Sequence, residues 1–484
     1  MSVSTLRKTM VSWIGLMAVC SVATEANAAG FALREQSAEG LGSAFAGGAA
    51  NAGDASTAFY NPAGLSRLTS NQVSSSVTWI SPVAKFTGTN SSPLGGNVTG
   101  SQAENGIKAA AIGAVYGVWN ASPDWKMALA VNAPFGLRSD YKPDWIGRYQ
   151  ALASELTDID VSVLASYRFN EHFSIGGGPR VAYIKARLSN AINFQAIGLG
   201  TAQQLAAGAR QAGAGAAAAA AAGQLSTASA LQAQATSLAT QAAGLQTLAS
   251  GWGDGLGKIE GDDVTAGYTF GGLYEIDKQT RLGLSYRSRM SNTLSGTASY
   301  QTPATLGLAG PTLSGLFAGQ GATAKITMPD SFNLGFHRDI SDQWAVMASL
   351  EWTHWSLFKT LSVVGANGQA ISSTNENWQD TWAASLGTNY RIDEKWQVRG
   401  GVAYDQSPVR DAFRTPRVPD SDRTWVTFGG TYAVTPAADV TFGYGHIFGA
   451  SAPVTSTNNS ASGTLTGSYD NSVDIFSVSA SLRF

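Results

Sequence analysis

Sulfur, histidine and charge are all scarce in this chain. Of its 484 residues one is cysteine, Cys20, four are histidine, and only 13% are Asp, Glu, Lys or Arg, where a soluble domain carries about 25%. A single cysteine excludes a disulfide framework. His172, His337, His354 and His446 stand at no spacing that gathers a metal site or a Ser/His/Asp triad. The glycines at 176–178 lie inside a strand pattern with no helix after it, so they form no phosphate loop. No enzymatic activity, metal or cofactor is therefore expected. A formal net charge of −2 gives no footprint for nucleic acid. Also missing, beyond the N-terminus, is any apolar run of the roughly 18 residues that a membrane helix needs.

What is present starts with an export signal. Arg7 and Lys8 form a basic start, residues 10–23 are mostly apolar but short for a span, and Ala26-Asn27-Ala28 has the form of a cleavage site. Residues 1–28 are read as a signal peptide cut after Ala28. Cys20 leaves with it, and Val19 occupies the position before it where lipidation would need a small residue.

From about residue 73 onward, strand-like segments alternate apolar with small or polar residues. RLGLSYRSR sets Leu282, Leu284 and Tyr286 on one face, and WQVRGGVAY does the same with Trp396, Val398, Val402 and Tyr404. Six connections are short and polar: NASPDW, FNEHF, IDKQT, ISDQW, IDEKW and VTPAAD. Three of them run into Trp125, Trp344 and Trp396. The connections between them are longer and rich in Gly, Ser, Thr and Asn. Short turns at one end, long loops at the other and aromatics at the strand ends mark an outer-membrane barrel. Six short turns and seven long loops predict an all-β fold, a fourteen-stranded antiparallel transmembrane β-barrel over residues 73–484. The last segment, DIFSVSASLRF, alternates Phe476, Val478, Leu482 and Phe484 against serines and Arg483.

Two segments do not fit a barrel wall. Residues 198–250 are mostly Ala, Gln and small polar residues, which favour helix. They are expected as one or two helices in an extracellular loop, capping the mouth or forming a mobile low-complexity insert. Residues 29–72 precede the first strand. A wide barrel leaks unless something fills it, and this Gly/Ala-rich segment, with Phe31, Phe45, Phe59 and Tyr60 as anchors, suits a plug in the lumen.

The run AGFALREQSAEGLGSAFAGGAANAGDASTAFYNPAGLSRL resembles the N-terminal hatch of the FadL family, outer-membrane transporters of long-chain fatty acids and other hydrophobic compounds that include TodX-like aromatic hydrocarbon channels. The family's Asn-Pro-Ala motif is matched by Asn61, Pro62 and Ala63. PDWIGRYQALASELTDIDVSVLASYRF is similar to a second family signature, through Trp145, Arg148, Tyr149, Ala151 and Ser154. The resemblance implies passive, downhill uptake: capture in an outer groove, a pocket inside the barrel, hatch movement, and lateral release through a gap in the wall. It also implies an inward kink in the third strand. WKMALAVNAPFGLRSD offers Asn132, Pro134 and Gly136, since Pro134 cannot donate to a ladder and Gly136 permits a bend.

Alternation points Arg180, Arg287, Glu351 and Arg399 into the lumen. Bracing the hatch through Glu35, Glu39 or Asp54 is their expected role, with Arg180 and Arg287 the candidates for a ligand carboxylate. The expected partners are hydrophobic small molecules, outer-membrane lipid and lipopolysaccharide, and the barrel assembly machinery that reads a C-terminal aromatic. A monomer in a Gram-negative outer membrane is expected. Fatty acids and aromatic hydrocarbons both remain open as substrates, and a general diffusion porin is the rival class.

Overall fold

The computed structural model describes residues 30–102, 105–309, 317–459 and 461–484; the expected signal peptide lies outside them. Twenty strand segments form one antiparallel sheet, arranged as fourteen staves. The first five are β1 (Gln72–Ser91), β2 (Ala110–Asn120), β3 with β4 (Trp125–Asn132, Gly136–Asp140), β5 (Ala153–Arg168) and β6 (Phe173–Asn193). Next come β7 (Asp254–Glu275), β8 with β9 (Thr280–Arg287, Met290–Gln301), β10 with β11 (Gln320–Met328, Ser331–Asp339) and β12 with β13 (Trp344–Thr353, Thr360–Gly365). The last five are β14 with β15 (Ala370–Asn375, Thr381–Arg391), β16 (Trp396–Asp405), β17 (Arg423–Thr435), β18 with β19 (Ala438–Gly449, Ala452–Ser456) and β20 (Thr464–Arg483).

The sheet closes where β1 meets β20, in unbroken register from Gln72↔Arg483 to Ser91↔Thr464. Closure removes the open edges that lipid could not hydrogen-bond. The expected alternation is borne out: Leu282, Leu284, Val402 and Tyr404 face outward, while Arg281 and Arg399 on the same strands are buried. Trp125, Trp344 and Trp396, beside the short turns, are exposed on the outer face. Among the described residues, no helix is long and apolar enough to cross a membrane.

The connections differ from expectation at one point. The fifth outer connection is a four-residue hairpin, 366–369, not a long loop. Gly365 N–H donates to Gln369 O at 2.8 Å, and Gly368 takes φ +78°. Here the length is in the strands: β13 pairs with both β10 and β14, so the ladder itself carries the chain outward.

Residues 30–68 fill the lumen, and almost every one is buried or half-buried. They form α1 (Ala38–Gly42), α2 (Gly48–Asn51), α3 (Thr57–Tyr60) and a 3-10 turn, Pro62–Arg67. Ser37 caps α1 by accepting from Gly40 N–H at 3.0 Å. Wall glycines make room for this segment. A Cβ on Gly283 would lie 1.8 Å from Ala49 O, and one on Gly401 2.3 Å from Ser43 C. Both ends of the segment are tied to the wall side. Gly30 N–H donates to Asp420 Oδ2 at 3.0 Å, and Arg67 pairs with Glu275.

The Ala-rich segment is a helical hairpin, α4 (Phe194–Ala221) and α5 (Leu225–Ala249), turning at Gly223 with φ +75°. It begins four residues before the compositional shift at 198, because Asn193 Oδ1 caps the first turn through Ala196 N–H at 2.8 Å. Small side chains let the helices approach closely: Ala202, Ala209 and Ala216 on one and Ala235 and Ala242 on the other are buried. At 1.5 Å per residue α4 runs about 42 Å. An apolar cluster of Phe194, Ala249, Trp252 and Leu306 anchors its base.

Candidate functional site

The third stave breaks where the sequence places Pro134. Proline has no N–H to donate, so a ladder cannot run through it. The β2–β3 rungs run from Asn120↔Lys126 to Val115↔Val131 and stop. Beyond the break, β4 forms its ladder with β5, and among the described residues the β2 side is met again at the bridge Ile107↔Ser139. The bend meets the N-terminal segment instead. Leu33 N–H donates to Pro134 O at 2.8 Å, and Gly136 N–H donates to Phe31 O at 2.9 Å. Ala32 bridges Phe135 between them. Asn132, at the end of β3, donates through Nδ2 to Tyr116 Oη at 2.7 Å. Asn132, Pro134 and Gly136 thus sit together at the bend.

Two cavities lie beside this bend. One, between the N-terminal segment and the wall, encloses about 770 Å³ of atom-free space, its open mouth included. Its lining includes Phe59, Tyr60, Pro134, Phe135, Arg287 and Glu351. The other encloses about 780 Å³ on the same measure and is almost wholly apolar, with Leu137, Leu156, Leu294 and Ile326 among its walls. Phe31 lines the second and Phe135 the first, with ring centroids 6.2 Å apart. Phe31 also packs edge-on against Trp355 at 4.7 Å and lies 5.2 Å from Trp378. These rings form an aromatic partition between the cavities.

The apolar cavity carries one cation, Arg417, from the connection between β16 and β17. Its Nη1 donates to Ala153 O and Ser154 Oγ, both at 3.1 Å. Burial holds its pKa down at about 10, against the opposing pull of Glu376. Glu376 is buried on the same cavity and accepts from Trp378 Nε1 at 3.1 Å.

The inward charges divide into two sets. Arg180 and Arg287 converge on Asp160 Oδ2, at 2.6 and 2.9 Å. Arg180 is fully buried and also donates to Ser288 O at 2.8 Å, whereas Arg287 borders a cavity and covers the Phe59 ring at 4.4 Å. Glu351 faces Arg34 of the N-terminal segment at 3.6 Å, and Arg399 faces Glu39 at 4.0 Å. Of the three acids expected as braces, Glu39 alone pairs this way. Asp54 instead accepts from Ser56 N–H at 2.8 Å. Both Glu35 oxygens are buried without a hydrogen-bond partner, and burial pushes that carboxyl up to about 7. Alternation along a strand predicts which wall side chains point inward, but carries no information on how the irregular N-terminal segment turns the acids opposite them.

Asn61, Pro62 and Ala63 lie away from the bend, against β6 and β7. Asn61 Nδ2 donates to Ala49 O at 2.6 Å and Gly272 O at 3.0 Å, and its Oδ1 accepts from Ala63 N–H at 3.0 Å. A Cβ on Gly271 would lie 1.9 Å from Asn61 Oδ1. Trp145, Arg148 and Tyr149 brace a loop: Trp145 stacks on Tyr141 at 4.1 Å, while Arg148 and Tyr149 hold Asp254 at the hairpin base at 2.7 and 2.8 Å. Sequence reading missed Trp355, Phe358 and Trp378, which pack around Phe31; the signal for the first two is the aromatic density of EWTHWSLF where alternation lapses. It also missed Asp160 and Arg417, for which pattern offers no signal.

Comparison with known proteins agrees with this architecture. The family described as "Outer membrane protein transport protein (OMPP1/FadL/TodX)" matches residues 19–484. The long-chain fatty acid transport protein of Escherichia coli K12 is 28% identical over 441 residues, spanning 90% of this chain and 92% of that one. A Pseudomonas aeruginosa FadL homologue superposes with a TM-score of 0.78 at 23% identity, covering 94% of this chain and all of that one (100%). The Pseudomonas putida toluene transporter TodX has the same fold, with a TM-score of 0.63 at 18% identity over 94% of this chain and 100% of its own.

Proposed function

Because the chain belongs to the OMPP1/FadL/TodX family of outer-membrane transport proteins, which are channels and not enzymes, we propose that it admits hydrophobic compounds, long-chain fatty acids foremost. The observation that carries this reading is the pair of cavities beside the bend where the β2–β3 ladder stops. A water-filled pore serves an alkyl chain poorly, since exposing each CH₂ costs about 0.8 kcal/mol. A dry route avoids that cost. The ligand enters the apolar cavity from the loop side, passes the aromatic partition when the N-terminal hatch shifts, and leaves sideways into the membrane at the bend. Nothing drives the process but the concentration gradient.

Arg417 favours an acid over a bare hydrocarbon, since a guanidinium in an apolar cavity is a ready carboxylate partner. Arg180, held by Asp160 and Ser288, serves as internal bracing in this reading, and Arg287 does so with one face on the ligand path. Residues 1–28 are removed on export, the chain works as a monomer, and the assembly machinery reads Phe484. The aromatic partition supports a second reading, in which aromatic hydrocarbons are also carried.

The test is uptake of labelled oleate and of toluene by a strain lacking the protein, complemented with native chain or with Arg417→Leu. Restored oleate uptake that falls several-fold in Arg417→Leu, with toluene uptake unaffected, supports the acid. Equal loss of neither or of both assigns Arg417 no head-group role. Free swelling of protein-containing liposomes in sugars would replace this reading with a diffusion porin.

A further inference from the structure

Every buried peptide group needs a partner, and the residues of the bend have lost theirs on the β2 side. Two of the replacements come from the main chain of Phe31–Leu33. Ala133 is different: both its peptide groups are met by one side chain. Gln36 Nε2 donates to Ala133 O at 2.8 Å, and Gln36 Oε1 accepts from Ala133 N–H at 3.3 Å. The same Oε1 accepts from Asn132 Nδ2 at 3.3 Å. Ala133 fixes which way the amide points, because its N–H requires an oxygen and its O requires a donor. The main-chain O of Gln36 is held in turn by Ser76 Oγ of β1 and Tyr116 Oη of β2, both at 3.0 Å. Gln36 is 1% exposed. A primary carboxamide offers one acceptor and one donor as a peptide does, so this side chain stands in for one missing strand rung.

We propose that the Gln36 side chain is the latch of the lateral opening: a positioning residue that completes the interrupted β2–β3 ladder and holds the bend shut until the hatch moves. The proposal rests on the lateral-release reading above. It makes the amide of Gln36, rather than the bulk of the hatch, the contact that must break first, because the other bonds across the bend lie along Phe31–Leu33 and can peel only after Ala133 is free. Methionine at this position fills the space without either bond. Glutamate keeps the shape but sets an acceptor against the Ala133 carbonyl.

Two sets of variants separate the latch from the opening itself. Ala32 and Phe135 form a pair flanked by hydrogen bonds on both sides, 33 to 134 and 136 to 31, a spacing of about 4.5 Å between Cα atoms that a disulfide can bridge. In Ala32→Cys/Phe135→Cys, oleate uptake should cease on oxidation and return on reduction. In Gln36→Met and Gln36→Glu, hydrogen exchange of the purified barrel at the amides of Ala133, Leu33 and Gly136 should quicken tenfold or more. Exchange along the β1–β20 seam should not change, and uptake at low oleate concentration should rise several-fold. Native exchange and native uptake in both Gln36 variants, with the disulfide still blocking, would overturn the latch and leave the opening standing. Undiminished uptake in the oxidised double-cysteine variant would overturn the opening and the latch with it.

Discussion

Asn61 does three jobs with one amide: it caps the 3-10 turn, ties it to Ala49 O, and docks it on Gly272 O of β7. Replacing it by alanine removes a cap and strands two buried carbonyls, a loss of about 2–4 kcal/mol in hatch seating. Asn61→Ala should therefore lower oleate uptake while the folded barrel survives, as read by heat-modifiable mobility on a gel. Gly271→Ala attacks the same contact from the wall side, so the double variant should be little worse than either single one. Glu35 gives a pH test. Its carboxyl titrates near 7 when seated, against an ordinary value of 4.5, so seating takes up a proton. The contribution is full below about pH 4.5 and fades as pH rises through 7, on the order of 3 kcal/mol in all. Protection against hydrogen exchange over residues 30–68, measured relative to the intrinsic rate at each pH, should be greater at pH 5 than at pH 8, and Glu35→Gln should flatten that difference. The motif made Asn61 legible in the sequence. Glu35 was legible only as a charge, because its isolation depends on how α1 and the preceding residues pack.

Elements were read best where their pattern is local. Strand faces follow from period two, and the six short turns were marked by Asn, Asp, Pro and Ser. The break at Pro134 was marked by a residue that cannot join a ladder. The fifth outer connection was not legible, because ANGQ reads as a turn only once it is known that the strands run on past the rim. The Ala-rich hairpin was legible as helix, but its base was not. Phe194 and Trp252 meet Leu306 across the fold. Since β6 and β7 pair up to Asn193↔Asp254, replacing residues 194–253 with Asn-Gly should close that rung as a two-residue hairpin. Uptake of oleate by cells carrying this variant should match the native level, because the hairpin lines neither cavity. A drop of tenfold would give the hairpin a part in capture.

Over the whole molecule, the number of staves could be counted from turns, because each short connection is a local signal and a barrel with every pair antiparallel closes only on an even total. The lumen could not be read in this way: the two cavities and the partition assemble from residues as far apart as Phe31, Phe135 and Trp378. Closure depends on the β1–β20 seam, and Phe484 N–H adds one bond past its last rung, to Asn71 O at 3.0 Å. Deleting Phe484 removes about 1 kcal/mol of folded-state bonding at most. A several-fold fall in the amount of assembled barrel in the outer membrane, without a matching fall in its melting temperature once assembled, would place the role of Phe484 in assembly.

The Gly30–Asp420 and Arg67–Glu275 ties lie at opposite ends of the N-terminal segment. On the proposed route, a strip fastened top and bottom would bow between its fixings rather than be expelled or slide like a piston. Its small-residue middle would supply the slack, so a passing molecule would do only the work of flexing it aside. The strip would then spring back to the same seat, ready for the next passage without a motor.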